Sequence, residues 1–255
     1  GYEYLSLKDP SINWDASTNI FKDIFSKSIK QINPRLNDIE VKQLYDEVSL
    51  CLENEDLGKA FYEKLTDKSG SRLIDFEDFD NNTFNVVTEL SYIKDDENFR
   101  PDIILLINGM PLVFIEVKKP NNQDGILAEH KRIQTRFQNK KFRKFVNITQ
   151  LMLFSNNMEY DDSSPLPIEG AFYASTSYQK PIFNYFREEC EFNLKELLST
   201  VADADETKVL KDNNLISIKH SPEFTKNKKP DTPTNRVCTS LLQRDRLSFV
   251  LEYAL

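Results

Sequence analysis

The chain has 255 residues, with 33 Lys and Arg against 41 Asp and Glu, for a formal net charge of −8 at pH 7. A hydrophobic fraction of 39%, with 18 Phe, is enough to build a sizeable core in one domain with decorations or in two small ones. Mean hydropathy is −0.53, no run approaches the roughly 18 apolar residues of a spanning helix, and the start Gly1-Tyr2-Glu3-Tyr4 has no secretory pattern. These features argue against a membrane protein.

The cysteines Cys51, Cys190 and Cys238 form no C-x-x-C pair, so neither a zinc site nor a disulfide framework is expected. They read as reduced, buried thiols of a cytoplasmic protein. With only His130 and His220 in the chain, a metal would be held by oxygen, as Mg²⁺ or Mn²⁺ rather than zinc.

In chain order, the first sixty-odd residues read as helical. Ile20, Ile24, Phe25 and Ile29 recur at helical spacing, with Thr18 or Asn19 as N-cap. Asn33-Pro34 breaks that segment. Asn37 or Asp38 then starts a helix carrying Ile39, Val41, Leu44, Val48 and Leu52, and a third helix spans 57–65. Strand character begins at Arg72-Leu73-Ile74-Asp75-Phe76. A polar turn at 78–82 leads to a strand at 84–90, and the acids Asp75, Glu77, Asp78 and Asp80 read as solvated turn residues. Residues 125–138 read as a helix, 150–155 as a compact apolar strand and 171–174 as another. From Lys180 the pattern returns to helices, with Ile182, Phe183, Phe186, Leu194 and Leu198 as apolar positions. Residues 219–234 look like a linker or exposed loop, and a final helix starts at Arg236. The expected fold class is α/β, a mixed central sheet flanked by helices.

The segment 100–119 holds the chemistry. Ile103-Ile104-Leu105-Leu106-Ile107 and Leu112-Val113-Phe114 flank a turn containing Asn108-Gly109, which reads as a β-hairpin. Asp102 starts the first strand, and Glu116 and Lys118 share a face at the end of the second. The hairpin should bring all three together at one sheet edge. Two carboxylates and an ammonium in such a place can hold a divalent metal and orient a water for phosphodiester hydrolysis. Asp102 and Glu116 are assigned as metal ligands, the Val117 carbonyl as a third, and Lys118 as the water-orienting cation. The structural alternative is a pair of edge-strand charges and a turn cap. Glu89, in the preceding strand, reads either as a further ligand or as a solvent-facing residue.

Lys131, Arg132, Arg136, Lys140, Lys141, Arg143 and Lys144 fall in one segment without an acid, and Gln134 sits among them. They form either a DNA-backbone strip or a solvated helix face. His130 is expected at the surface, while Phe137 reads either as a residue that helps place DNA or as an ordinary core residue. No Walker-type G-x-x-x-x-G-K-[ST] occurs, so this chain shows no recognisable ATP site.

Four stretches together resemble the N-terminal region of the R (restriction) subunit of type I restriction–modification enzymes. They are Ile32-Asn33-Pro34; Leu73-Ile74-Asp75-Phe76 with Asn81-Asn82-Thr83-Phe84; Arg100-Pro101-Asp102 through Pro120; and 150–156. The resemblance implies a PD-(D/E)xK nuclease whose motif falls on Asp102, Glu116 and Lys118. The family's Gln-x-x-x-Tyr pair falls on Phe137 and on Ile133 or Gln134, so its hydrogen-bonding role is altered here. It further implies double-stranded DNA as substrate, modification (methyltransferase) and specificity subunits as partners, and ATP-driven translocation by motor domains absent from this chain. On that basis residues 1–70 are expected to form a helical layer, 71–180 the nuclease core, 181–230 a helical extension and loop, and 231–255 the start of a connection to a motor. The chain would then be a fragment of a much longer subunit. Two rivals stand beside this reading: a repair or junction-resolving nuclease of the same fold, and a non-catalytic docking domain.

Overall fold

A computed structural model of the chain describes residues 1–120, 125–160, 171–176, 181–186 and 201–253. Cys190, Leu194, Leu198 and the loop at 163–167 lie outside the described residues. Among the described residues the core is a mixed sheet of seven strands in the order β1 (Glu3–Tyr4), β2 (Phe84–Thr88), β5 (Ile103–Ile107), β6 (Met110–Val117), β7 (Leu151–Ser155), β8 (Ala171–Thr176) and β9 (Pro181–Tyr185). Pairings β1–β2 and β6–β7 are parallel and the rest antiparallel. A separate hairpin joins β3 (Tyr92–Lys94) to β4 (Glu97–Phe99).

Helices cover both faces. On one face, α1 (Lys22–Ile32), α2 (Asp38–Cys51), α3 (Lys59–Leu65), α8 (Pro233–Leu242) and α9 (Arg244–Tyr253) bury Phe25, Ile29, Val48 and Phe61 against Leu105, Ile107 and Val113. On the other face, α4 (Gly125–Gln138) and α5 (Arg143–Ile148) close over an aromatic cluster of Phe99, Phe114, Phe145, Phe154 and Phe172 with Ile133. Phe114 meets Phe154 edge-on with centroids 5.4 Å apart, a favoured aromatic geometry. The C-terminal region adds α6 (Asp203–Asp212) and α7 (Pro222–Asn227). Among the described residues no helix is long and apolar enough to cross a membrane.

Several expected elements form for the expected reasons. The start of α2 is a capping box: the Asn37 side chain accepts from the Ile39 and Glu40 N–H groups, and Glu40 accepts from the Asn37 N–H. By contrast, α1 begins after Phe21 and not after Thr18 or Asn19. Asn19 has a left-handed φ of 58°, and the Thr18 hydroxyl accepts from Ile20 N–H, so both residues serve a turn before the helix.

Other expectations are corrected. The stretch 72–76 is not a strand. Asp75, expected in or beside a solvated turn, is only 5% exposed. Its carboxylate accepts from Arg72, Asn81 and the Asp78 N–H, while Asn82 bonds both the Asp75 N–H and its carbonyl. Side chains thus take over the backbone pairing that a ladder would otherwise supply. Burial alone pushes the Asp75 carboxyl up, but these hydrogen bonds and the Arg72 charge outweigh it and hold it below the usual range. Ile182 and Phe183, read as helical, lie in β9, a Pro-initiated strand at the sheet edge. Within the expected linker, α7 forms with Pro222 in its first turn and the Ser221 hydroxyl capping Phe224 N–H. The last helix is two helices, α8 and α9, divided at Gln243, whose ψ of 136° is extended. Cys51 and Cys238 are free thiols but only partly buried, not buried as expected, and desolvation pushes the Cys238 thiol up to about 12.

Candidate active site

The hairpin closes on Ile107 opposite Met110, leaving Asn108 (φ 51°) and Gly109 (φ 78°) as its two-residue turn. Two positive φ angles give the twist that matches the flanking strands. Asn108 anchors this turn: its amide donates to Leu73 carbonyl and to Asn82, and its oxygen accepts from Thr83 N–H. The resembling stretches around Leu73, Asn82 and Asn108 therefore meet in one buried polar knot. A register shift between Leu105 and Leu106 resets the pairing, so that Ile103 lies opposite Ile115.

At the open end of the hairpin, the Asp102 Oδ2 accepts from Val117 N–H at 2.8 Å. Glu116 follows Phe114 on the face covered by α4 and is 6% exposed. Lys118 binds Glu116 Oε1 through its ammonium, and its own backbone N–H donates to Ser155 carbonyl at 2.8 Å on the parallel neighbour β7. The other oxygen of Glu116, Oε2, is buried and has no hydrogen-bond partner among the described residues. Burial raises the Glu116 pKa above the usual carboxylate range, Asp102 and Glu129 add to the rise, and Lys118 opposes it. For Lys118, burial favours the neutral form, but the carboxylates of Glu116, Glu129 and Asp102 win and raise its pKa, so it stays charged. The structure brings these three residues together at the ends of two central strands, β5 and β6, and not at the sheet edge that the sequence suggests.

Glu89 is placed differently. Its N–H donates to Asp102 carbonyl, but its half-exposed carboxylate pairs with Arg100 at 3.6 Å. Among the described residues, no three His, Cys, Asp or Glu side chains form a complete metal cluster. Asp102 and Glu116 are two side-chain donors, and the Val117 carbonyl directly follows Glu116 in sequence.

Sequence reasoning missed Glu129. It sits on α4, is 1% exposed, and lies 3.5 Å from Lys118, 3.0 Å from Arg132 and 3.1 Å from Arg136. Arg136 also stacks over the Phe99 ring at 3.6 Å. The i, i+3, i+7 spacing of Glu129, Arg132 and Arg136 was the available signal, since it puts all three on one helix face. The Gln-x-x-x-Tyr departure has a packing explanation. Ile133 is fully buried in the aromatic cluster and Phe137 packs against it, while Gln134 contacts His130 at 3.3 Å. His130, expected at the surface, lies against Phe183 with centroids 3.9 Å apart.

Most of the basic segment is already neutralised. Lys140 and Arg143 share Glu55, Lys141 reaches Asp96 and Glu97, and Lys144 reaches Glu53. These pairs tie the α4–α5 region to the loop after α2 and to the β3–β4 hairpin. Of the basic residues in the segment, Lys131 alone makes no ion pair with any described residue.

Residues 1–161 match the family model for the type I restriction enzyme R protein N terminus. The chain belongs to this family. Relatives include a protein of Methanocaldococcus jannaschii provisionally named the type I restriction enzyme MjaIXP endonuclease subunit, 30% identical over 57% of this chain and 16% of its own length. The type I restriction enzyme HindI endonuclease subunit of Haemophilus influenzae is 29% identical over 51% of this chain and 14% of its own length. The matched stretch is thus a small part of each relative. The family's N-terminal match spans the polar knot, the whole hairpin and α4, so Asp102, Glu116, Lys118 and Glu129 all fall inside it.

Proposed function

We propose that this chain is the DNA-cleaving domain of a type I restriction enzyme endonuclease subunit, a metal-dependent nuclease of the PD-(D/E)xK kind. The supporting observation is the convergence of Asp102, Glu116 and Lys118 at the hairpin mouth, with one Glu116 oxygen buried and without a partner among the described residues. A buried acceptor without a donor is costly unless something meets it. The donor set is oxygen only, which suits Mg²⁺ or Mn²⁺ completing its shell with water and substrate phosphate. When bound, such an ion polarises the scissile phosphate and yields a nucleophilic water at neutral pH.

The chain's own groups do the rest. The Val117 N–H fixes the Asp102 carboxylate, so one of its oxygens keeps a set direction. Glu116 offers its free oxygen from a buried position, where charge interactions are strengthened. Lys118 places a charged N–H group where the attacking water and the phosphate oxygens meet, and offsets the charge that develops on phosphorus. ATP-driven translocation and the choice of sequence belong to domains and to modification and specificity subunits outside this chain. Lys131 is the cation in the basic segment best placed to meet a DNA phosphate. Lys131→Ala is expected to lower the log–log salt slope of DNA binding by about one, and Lys144→Ala to change it by well under one, because Lys144 is already paired.

The test is the complete enzyme, reconstituted with its partners on circular DNA bearing a target site. ATP hydrolysis and strand breakage are followed in wild type, Glu116→Gln and Lys118→Met. Breakage lost in both variants with ATP hydrolysis retained supports the proposal. Breakage unchanged in both overturns it.

A further inference from the structure

Lys118 faces a conflict in the proposed reaction. In this structure its ammonium neutralises Glu116, the carboxylate that a divalent cation would also need. A cation on Glu116 repels Lys118, and a half-buried ammonium with no other counter-charge is expensive. Glu129 lies on the opposite wall, 3.5 Å from Lys118, and is the more buried of the two acids. Its two oxygens are held in place by Arg136 on Oε1 and Arg132 on Oε2, so its charge cannot swing away.

We propose that Glu129 is a positioning residue, the second carboxylate onto which Lys118 moves when a divalent cation takes Glu116. Its charge sets how readily the site accepts the cation, and it keeps Lys118 beside the reacting phosphate afterwards. Arg132 competes with Lys118 for the same Glu129 oxygen, so it opposes this transfer. The inference rests on the metal-dependent reading of Asp102 and Glu116. It assigns Glu129 no direct contact with metal or DNA.

Mn²⁺ binding to the full chain, measured by titration calorimetry, tests this without any turnover. Glu129→Gln is expected to weaken binding about tenfold, at the lower end of the effect of residues that orient metal ligands. In the Lys118→Met background the same change should weaken binding at least threefold less, because there is no ammonium left to relocate. A carboxylate that ligates the metal itself, or acts only through its long-range field or the fold, would give equal losses in both backgrounds and would overturn the proposal. Should Glu129→Gln fail to fold, Arg132→Gln serves instead, since Arg132 is 57% exposed at its side chain. It frees the shared oxygen and is expected to tighten Mn²⁺ binding severalfold, an effect that should shrink with Lys118→Met. Equal tightening in both backgrounds counts against the proposal. Asp102→Asn is the control. If it binds Mn²⁺ as wild type does, the metal-site reading fails and this inference falls with it. If it loses binding while the Glu129 cycle shows no coupling to Lys118, only this inference falls.

Discussion

Asp102→Asn is expected to leave the chain folded and to reduce strand breakage in the complete enzyme by about a thousandfold or more. The two halves of that result have separate causes. Asp102 already spends one oxygen on Val117 N–H. An Asn oxygen accepts the same hydrogen bond, and removing a negative charge beside Glu116 relieves repulsion between the two. What the variant loses is a charged ligand for an ion that supplies several kcal/mol of transition-state stabilisation, and each 1.36 kcal/mol is about tenfold in rate. Asp102→Ala should behave differently. It strands the Val117 N–H at the strand end, at about 1–3 kcal/mol of stability. Denaturant unfolding and cleavage, measured on both variants, separate the effects. Near-normal cleavage by the Asn variant would remove Asp102 from the chemistry.

Gly109→Ala is expected to destabilise the fold by about 3 kcal/mol or more. The residue has φ 78°, and a Cβ there would lie 2.7 Å from both Phe21 carbonyl oxygen and Phe25 backbone nitrogen. Neither backbone atom can step aside, because Gly109 carbonyl accepts from Phe21 N–H at 2.9 Å and so pins the turn to the start of α1. The damage should also reach the site, since the turn sets the register that brings Asp102 to Val117. Asn108→Gly keeps the left-handed turn but strands the Leu73 carbonyl and the Thr83 N–H, at about 1–3 kcal/mol each, so a loss of the same order is expected without a backbone clash. Urea unfolding of the two variants gives the comparison. A Gly109→Ala chain as stable as wild type would mean that the turn does not pack on α1 as described.

The contrast between these positions shows what could be read from sequence. The hairpin was legible because its signals are local: two apolar runs, an Asn-Gly turn, and a period of two that puts Glu116 and Lys118 on one face. The polar knot was not, because Asp75, Asn82 and Asn108 satisfy backbone groups with side chains, and nothing in a run such as Leu73-Ile74-Asp75-Phe76 separates that from a strand. The β3–β4 hairpin was not legible either, because each strand is three residues long and the acids Asp95, Asp96 and Glu97 interrupt any apolar alternation. Glu129 could be placed on a helix face with its arginines. That this face closes over Glu116 depends on how α4 packs against β6, a tertiary fact. The ion pairs of the basic segment were hidden in the same way, because their acids, Glu53, Glu55, Asp96 and Glu97, come from distant parts of the chain.

Crystals of this chain soaked in Mn²⁺, with anomalous scattering recorded at the manganese edge, would test the metal site most directly. The account predicts a peak at the hairpin mouth, bounded by Asp102, the free oxygen of Glu116 and the Val117 carbonyl, and lost in Glu116→Gln. Manganese bound elsewhere, for instance among the acids at 75–80, with nothing between Asp102 and Glu116, would contradict it.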